Sequence, residues 1–369
     1  MSESTRVGIW SRLRRGVGWI DGSLVGLCIV SVVIVVLGGL VQVSFGTYSM
    51  TLTEAWRAVL NPSILLNPDA WSAFLFGTDL PEMGRESLIV WNIRLPRVLV
   101  AVLVGANLSV SGAIFQAVTR NELASPYILG VSSGAGLAIL LTLVVFSGLA
   151  PFLPLIAAGG GALAFLLVYI IAWKGGTSPV RLVLAGVIVG TLFQSMQTAM
   201  FFFADDLAIV QSAIAWTTGS LTGVDWEQVR LALPSTAVAL FLSVVAARQL
   251  NVLLLGEQTA KSLGMSVERT RFLLSGVAIL AASAAIAVAG IVGFVGLIVP
   301  HLVRNLVGSD YKNLIVGCVF AGPALMVVAD VGARLAMDPT QLPVGIVTGL
   351  VGGPYFLYLM RRQQNLGDI

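Results

Sequence analysis

In a chain of 369 residues, 57% hydrophobic and only 11% charged with a net charge of +3, there are too few charged side chains to clothe a soluble surface. A mean hydropathy of +0.94 makes lipid the main solvent and leaves no stretch for a separate soluble domain. The positive excess is too diffuse to point to nucleic acid.

The first apolar run, 22–43, follows Arg6, Arg12, Arg14 and Arg15. It is about as long as a spanning helix and longer than a signal peptide's apolar core, so it reads as a retained first crossing. Nine further runs follow, at 98–118, 127–147, 152–173, 181–203, 231–249, 271–290, 291–307, 314–335 and 344–360. Each approaches the length that crosses a core of about 30 Å, although the seventh and eighth abut at the glycine-rich break "AVAGIVGFVG". The chain is therefore read as all-α and polytopic, a single transmembrane domain over 1–369 with about ten helices.

An even number of crossings puts both termini on one side. Fifteen lysines and arginines then fall on the side of the N-terminus and six on the other, together the 21 in the chain. The positive-inside rule assigns the fifteen-residue side, with both ends, to the cytoplasm. Five plus five crossings permit an inverted repeat, as in many transporters, although the halves share no clear residue pattern. Residues 1–21 form a cytoplasmic tail, and 44–97 a long outer loop in which "TLTEAWRAVL" suits a short helix capped by Thr51 or Thr53. The segment 204–230 is a second outer loop. The inner segment 250–270, "LNVLLLGEQTAKSLGMSVERT", is too polar to span, and Gly256 and Gly264 punctuate it into two short helices.

Chemistry is sparse. "GVSSG", Gly130 to Gly134, matches the nucleophile-elbow pattern and, with His301, allows an intramembrane serine hydrolase built on Ser132. No strand precedes it, and small residues there also serve packing. One histidine and two cysteines without partner spacing, Cys28 and Cys318, give no metal-ligand set. Lys261-Ser262 lacks the glycines of a P-loop, so the chain itself binds no ATP. Asp330 is the best embedded acid; Arg334, one turn on, is a candidate neutralising partner, and a proton-coupled role for Asp330 is the rival.

Four stretches then fit together: "RLPRVLVAVLVGANLSVSGAIFQAVTRNELASPYILGVSSGAG" (94–136), "LGEQTAKSLGMSVERTR" (255–271), "GFVGLIVPHLVRNLVGSD" (293–310) and "LPVGIVTGLVGGPYFLYLM" (342–360). In this order they resemble the permease family of ABC importers for ferric siderophores, haem and cobalamin, the type II importer architecture. The resemblance runs from about Arg94 to the C-terminus. Glu122 stands where the family usually has proline, Gln341 where it usually has glutamate, and the outer stretch 61–86 is longer than usual.

The resemblance implies a homodimer or close heterodimer in the cytoplasmic (inner) membrane. Two partner ATPase subunits hold the ATP and magnesium, and an extracytoplasmic binding protein delivers the cargo. It implies an ATPase-coupling element carrying Leu254, Gly256, Glu257, Ala260, Leu263 and Gly264, with Glu257 and Arg269 free to pair with the ATPase surface. Outer docking arginines fall on Arg94, Arg97 and Arg334. The fifth and tenth crossings line the pathway around Gln194, Met196, Gln197, Met200, Gly349 and Gly353, with a gate at Thr177 and Ser178. Within "VGFVGLIVPHLVRN", Gly293 and Gly296 start the helix irregularly, Pro300 ends or kinks it, and His301 and Arg304 reach the inner interface. The expected function is ATP-driven import of an iron–siderophore complex, cobalamin or haem by a non-catalytic subunit without cofactor of its own. A proton- or sodium-coupled secondary transporter and the hydrolase are the alternatives.

Overall fold

The computed structural model describes residues 21–44, 48, 50–204, 206–336 and 341–364. Of the tail expected over residues 1–21, residues 1–20, with the four arginines, lie outside them. The helices in chain order are α1 (Gly22–Ser44), α2 (Leu52–Val59), α3 (Pro62–Leu65), α4 (Pro68–Phe76), α5 (Arg85–Thr119), α6 (Val131–Val145), α7 (Leu153–Ala172) and α8 (Pro179–Phe201). They continue with α9 (Leu207–Thr218), α10 (Trp226–Val245), α11 (Ala247–Leu254), α12 (Glu257–Ser262), α13 (Val267–Ala289), α14 (Val295–Val307), α15 (Tyr311–Leu335) and α16 (Val344–Gln364). Among the described residues the only β contact is an isolated bridge between Trp173 and Thr177.

Ten of these helices take up the ten apolar runs. α5 is the central pillar. It packs against α15, α13, α14 and α10, and most of its length is buried, whereas α1 and α8 turn most of their surface outward. Small residues let the pillar's neighbours approach: a Cβ at Gly112 would lie 1.8 Å from the Gly296 carbonyl oxygen, and one at Gly105 2.4 Å from that of Gly322. Without a hydrophobic drive between helices in lipid, such close backbone contact is what holds crossings together.

Three features depart from the reading of the sequence. The second crossing starts at Arg85, inside the expected outer loop, and passes through a wide π turn at Val90–Arg94 just before Pro96. The outer segment 204–230 contains a helix of its own, α9, capped by Asp206. Pro300 does not end α14, which continues to Val307. Between α13 and α14 the chain is not helical, and Phe294 adopts φ +65. The groups freed there bond within the protein: Ile291 N–H donates to the Trp216 carbonyl (2.9 Å), Ser220 N–H to Ala289 (2.8 Å) and Gly345 N–H to Gly219 (3.2 Å). Irregular backbone at membrane depth requires such internal partners. These bonds join the end of α9, the α13–α14 break and the start of α16 into one junction.

The outer segment folds into a cap. α2 carries the expected capping box, with Glu54 N–H donating to Thr51 Oγ1 (3.3 Å) and Thr51 N–H to Glu54 Oε2 (2.8 Å). Phe74 stacks between Trp91 and Trp226, at 5.6 and 4.7 Å between centroids, and pins α4 to the outer ends of α5 and α10.

Candidate functional site: a membrane conduit with inner and outer control points

A groove of about 300 Å³ lies between α6, α8, α9 and the junction, lined by Tyr127, Ser132, Ser133, Gln194, Gln197, Thr198 and Thr217 among others. Gln197 Nε2 donates to the Ser133 carbonyl (2.9 Å), which fixes the amide against α6. A second groove of about 380 Å³ continues past Phe294 to Gly345 and Gly349. Among the described residues, no Asp, Glu, Lys, Arg or His lines either one. Of the expected pathway residues, Gln194, Gln197 and Gly349 are brought to these grooves. Met196, Met200 and Gly353 line neither, and Met196 faces outward from α8, 43% exposed.

At the end expected to face the cytoplasm, α11 and α12 meet at Gly256 (φ +98), and Gly264 (φ +82) ends the α12 turn, so the punctuation expected of both glycines is present. Leu254 and Leu263 project outward, 40% and 63% exposed, while Ala260 is fully buried and seats α12 against its own chain. Ala260 therefore backs this element rather than offering an approach surface. Glu257 also differs from expectation: its carboxylate accepts from Arg271 Nη2 at 2.7 Å, so it is committed within the chain. Arg269 remains exposed.

Thr177 is buried in a tight loop joining α7 to α8, closed by the Trp173–Thr177 bridge and by Lys174 N–H donating to Gly176 (3.1 Å). Thr177 N–H and Oγ1 both donate to Glu268 Oε2, at 3.0 and 2.6 Å. Its carbonyl and Oγ1 accept from Arg271 Nη1. Ser178 precedes the first turn of α8 and makes no side-chain cap there. Arg271 and Glu268 were not singled out as site residues, because one residue of a basic inner segment looks much like another. The available signal was Arg271 four residues into an apolar helix, where an unpaired charge is costly.

At the end expected to face outward, the arginines turn into the protein. Arg97 is 7% exposed and forms a two-pronged ion pair with Asp330, Nε to Oδ2 at 2.9 Å and Nη2 to Oδ1 at 2.7 Å. Its Nη1 donates to Gln341 Oε1 (2.6 Å), and Gln42 Nε2 donates to Asp330 Oδ2 (2.8 Å). The partner of Asp330 is thus Arg97, from another helix, and not Arg334, whose Nη1 donates to the Gln42 carbonyl (2.9 Å). Arg94, 4% exposed, donates to the carbonyls of Val43 and Tyr48. Neither Arg94 nor Arg97 offers free charge at the outer surface in this conformation.

The catalytic alternative finds no geometry. Ser132 makes no hydrogen bond to His301, whose Nδ1 instead lies 3.8 Å from Glu122. Arg304 lies 3.4 Å from the same carboxylate and donates to Gln116 Oε1 (2.9 Å). Glu122, standing where proline was expected, thereby ties the α5–α6 loop to α14. Among the described residues there is no group of three His, Cys, Asp or Glu side chains able to hold a metal.

Comparison with known proteins agrees with this geometry. Residues 33–362 match the FecCD transport family. The chain is 41% identical over 284 residues to the Fe(3+)-citrate import system permease protein YfmD of Bacillus subtilis (strain 168), covering 77% of this chain and 84% of that one. It is 35% identical over 346 residues to the hemin transport system permease protein HmuU of Yersinia pestis, covering 92% and 96%. A solved inward-facing metal-chelate type ABC transporter superimposes with a TM-score of 0.76 at 26% identity, covering 91% of this chain and 99% of that one. The chain belongs to the FecCD transport family and is a membrane-embedded, non-catalytic permease subunit of an ABC importer.

Proposed function

We propose that two copies of this chain enclose a central conduit through which an iron chelate crosses the cytoplasmic membrane, both termini facing the cytoplasm. The observation that carries this reading is the polar but uncharged groove around Gln194 and Gln197, on a helix whose remaining surface is largely apolar and outward. Amide and hydroxyl walls hydrate a bulky passing solute without gripping it. A tight polar site would slow release, since binding energy that does not differ between states moves nothing. A second copy facing this groove would turn an open trough into a closed channel.

Two partner ATPase subunits hold the nucleotide and magnesium. Leu254 and Leu263 serve as apolar knobs for them, with Gly256 and Gly264 giving the turn its close approach. Thr177 and Ser178 form the inner gate, and the binding protein seats on the outer face. Arg94, Arg97 and Arg334 serve that docking by holding the outer ends of α1, α5 and α15 in register beneath it. The iron citrate and haem named for the relatives make a ferric chelate the first cargo to test. Because Asp330 is committed to Arg97 and, among the described residues, the grooves hold no acid, no observation favours proton coupling.

The test is uptake by proteoliposomes holding the complete complex, offered ferric hydroxamate, ferric citrate, haem and cobalamin with and without ATP. ATP-dependent accumulation of at least one chelate is expected. Uptake that proceeds equally without the ATPase subunits would sink the reading.

A further inference from the structure

Arg271 sits where three separate parts of the chain meet, and nothing in the pathway or docking scheme accounts for it. Its side chain is 1% exposed. A guanidinium so enclosed is stable only if carboxylates and carbonyls replace its water. Two acids do so: Glu257, the first residue of α12, at 2.7 Å, and Glu268, one turn back on its own helix, at 3.1 Å. The same guanidinium donates through Nη1 to the carbonyl and Oγ1 of Thr177. Glu268 completes the grip by accepting from Thr177 N–H and Oγ1. Gly176 (φ +138) leaves room for this: a Cβ there would sit 3.2 Å from Glu268 Oε1.

We infer that Arg271 is a positioning residue that transmits movement of α12 to the Thr177 loop, and through it to the start of the conduit helix α8. The inference rests on the reading of α12 as the element gripped by the ATPase. Three geometric facts give it direction. Glu257 is the only link in the node that belongs to α12. Its side chain and that of Glu268 are both 35% exposed, but Glu268 also accepts from Thr177 N–H and Oγ1, so the singly bonded Glu257 arm is the one that can exchange its partner for water. On the other side, Thr177 lies two residues before Pro179, where α8 begins, so a shift of Thr177 displaces the helix that carries Gln194 and Gln197. With the Glu257 arm in place, the loop is held by both acids through one cation. When the arm opens, Arg271 is left with Glu268 and Thr177 alone, and the loop loses its tie to the inner surface.

The test uses the complete importer in proteoliposomes and reads the number of ATP molecules hydrolysed per chelate delivered. Glu257→Gln keeps the shape of the arm and removes its charge; the ratio is expected to rise by about fivefold, within the range of energetic coupling between sites. Arg271→Lys cannot span both acids and Thr177, and a similar rise is expected. The double variant should be no worse than Arg271→Lys alone, because that change already breaks the link to Glu257. Additive losses, or an unchanged ratio in Glu257→Gln, would overturn the relay. Failure of Glu257→Gln to bind the ATPase would also overturn it, by showing that Glu257 works at the subunit surface. A wild-type complex that imports no chelate with ATP would remove the importer reading and the relay together, an outcome distinct from these.

Discussion

At the residue scale, the buried pair Arg97–Asp330 shows how one contact separates two accounts of the same acid. An aspartate inside a membrane suggests a proton carrier, but this carboxylate accepts from two guanidinium nitrogens and a glutamine, the bonding of a structural ion pair. Asp330→Asn should therefore act on stability first, costing about 3–5 kcal/mol because it strands a buried guanidinium. Thermal unfolding in detergent measures this, and Arg97→Met with Asp330→Leu should recover part of the loss. A variant of wild-type stability that fails only in uptake would revive proton coupling.

Asp310 makes a smaller, pH-dependent contribution. Asn251 Nδ2 (2.8 Å) and the Lys312 N–H (2.9 Å) donate to it, and these bonds hold its carboxyl below the usual carboxylate range. A depressed folded value stabilises the protein above the unfolded value of about 3.9 and loses that effect as pH falls through the lower folded value. The acid limb of a melting-temperature profile should thus be shallower in Asp310→Asn; an identical limb would remove Asp310 from the account.

At the element scale, two kinds of contact have opposite tolerances. Leu254 and Leu263 are exposed, so Leu254→Asp with Leu263→Asp should leave the permease folded while abolishing co-purification of the ATPase subunits. Retained co-purification would move the contact elsewhere on the inner face. The crossing of α5 over α14 is the reverse case. A methyl group at Gly112 has no space against the Gly296 carbonyl, so Gly112→Ala should cost at least the roughly 1–3 kcal/mol of an overpacked core. The readout is a fall in the yield of folded protein, whereas Gly276→Ala, with open space around it, should behave as wild type.

At the scale of the whole molecule, the legible and illegible parts divide by the range of the forces involved. The ten crossings, the break at Gly290–Phe294 and the inner turn at Gly256 could be read along the chain. Hydropathy over about twenty residues and the backbone freedom of glycine are local properties. Helix α9 escaped because twelve residues, four of them polar, are too few for a crossing, and only the Trp216 and Gly219 carbonyls at its end show that it closes a junction with α13 and α16. Of the two effects expected of Pro300, an end to the helix does not occur: a residue that breaks an isolated helix is carried here inside a tightly packed one. Composition and local pattern alone determined that the chain spans a membrane, which side its charges favour and which transport family it resembles. Tertiary structure alone decided that Asp330 belongs to Arg97, that Glu257 and Thr177 share Arg271, and that Gln194 and Gln197 open onto an uncharged groove. Residues as many as 292 positions apart meet only after the helices pack, and a buried charge takes whichever partner that packing brings within reach.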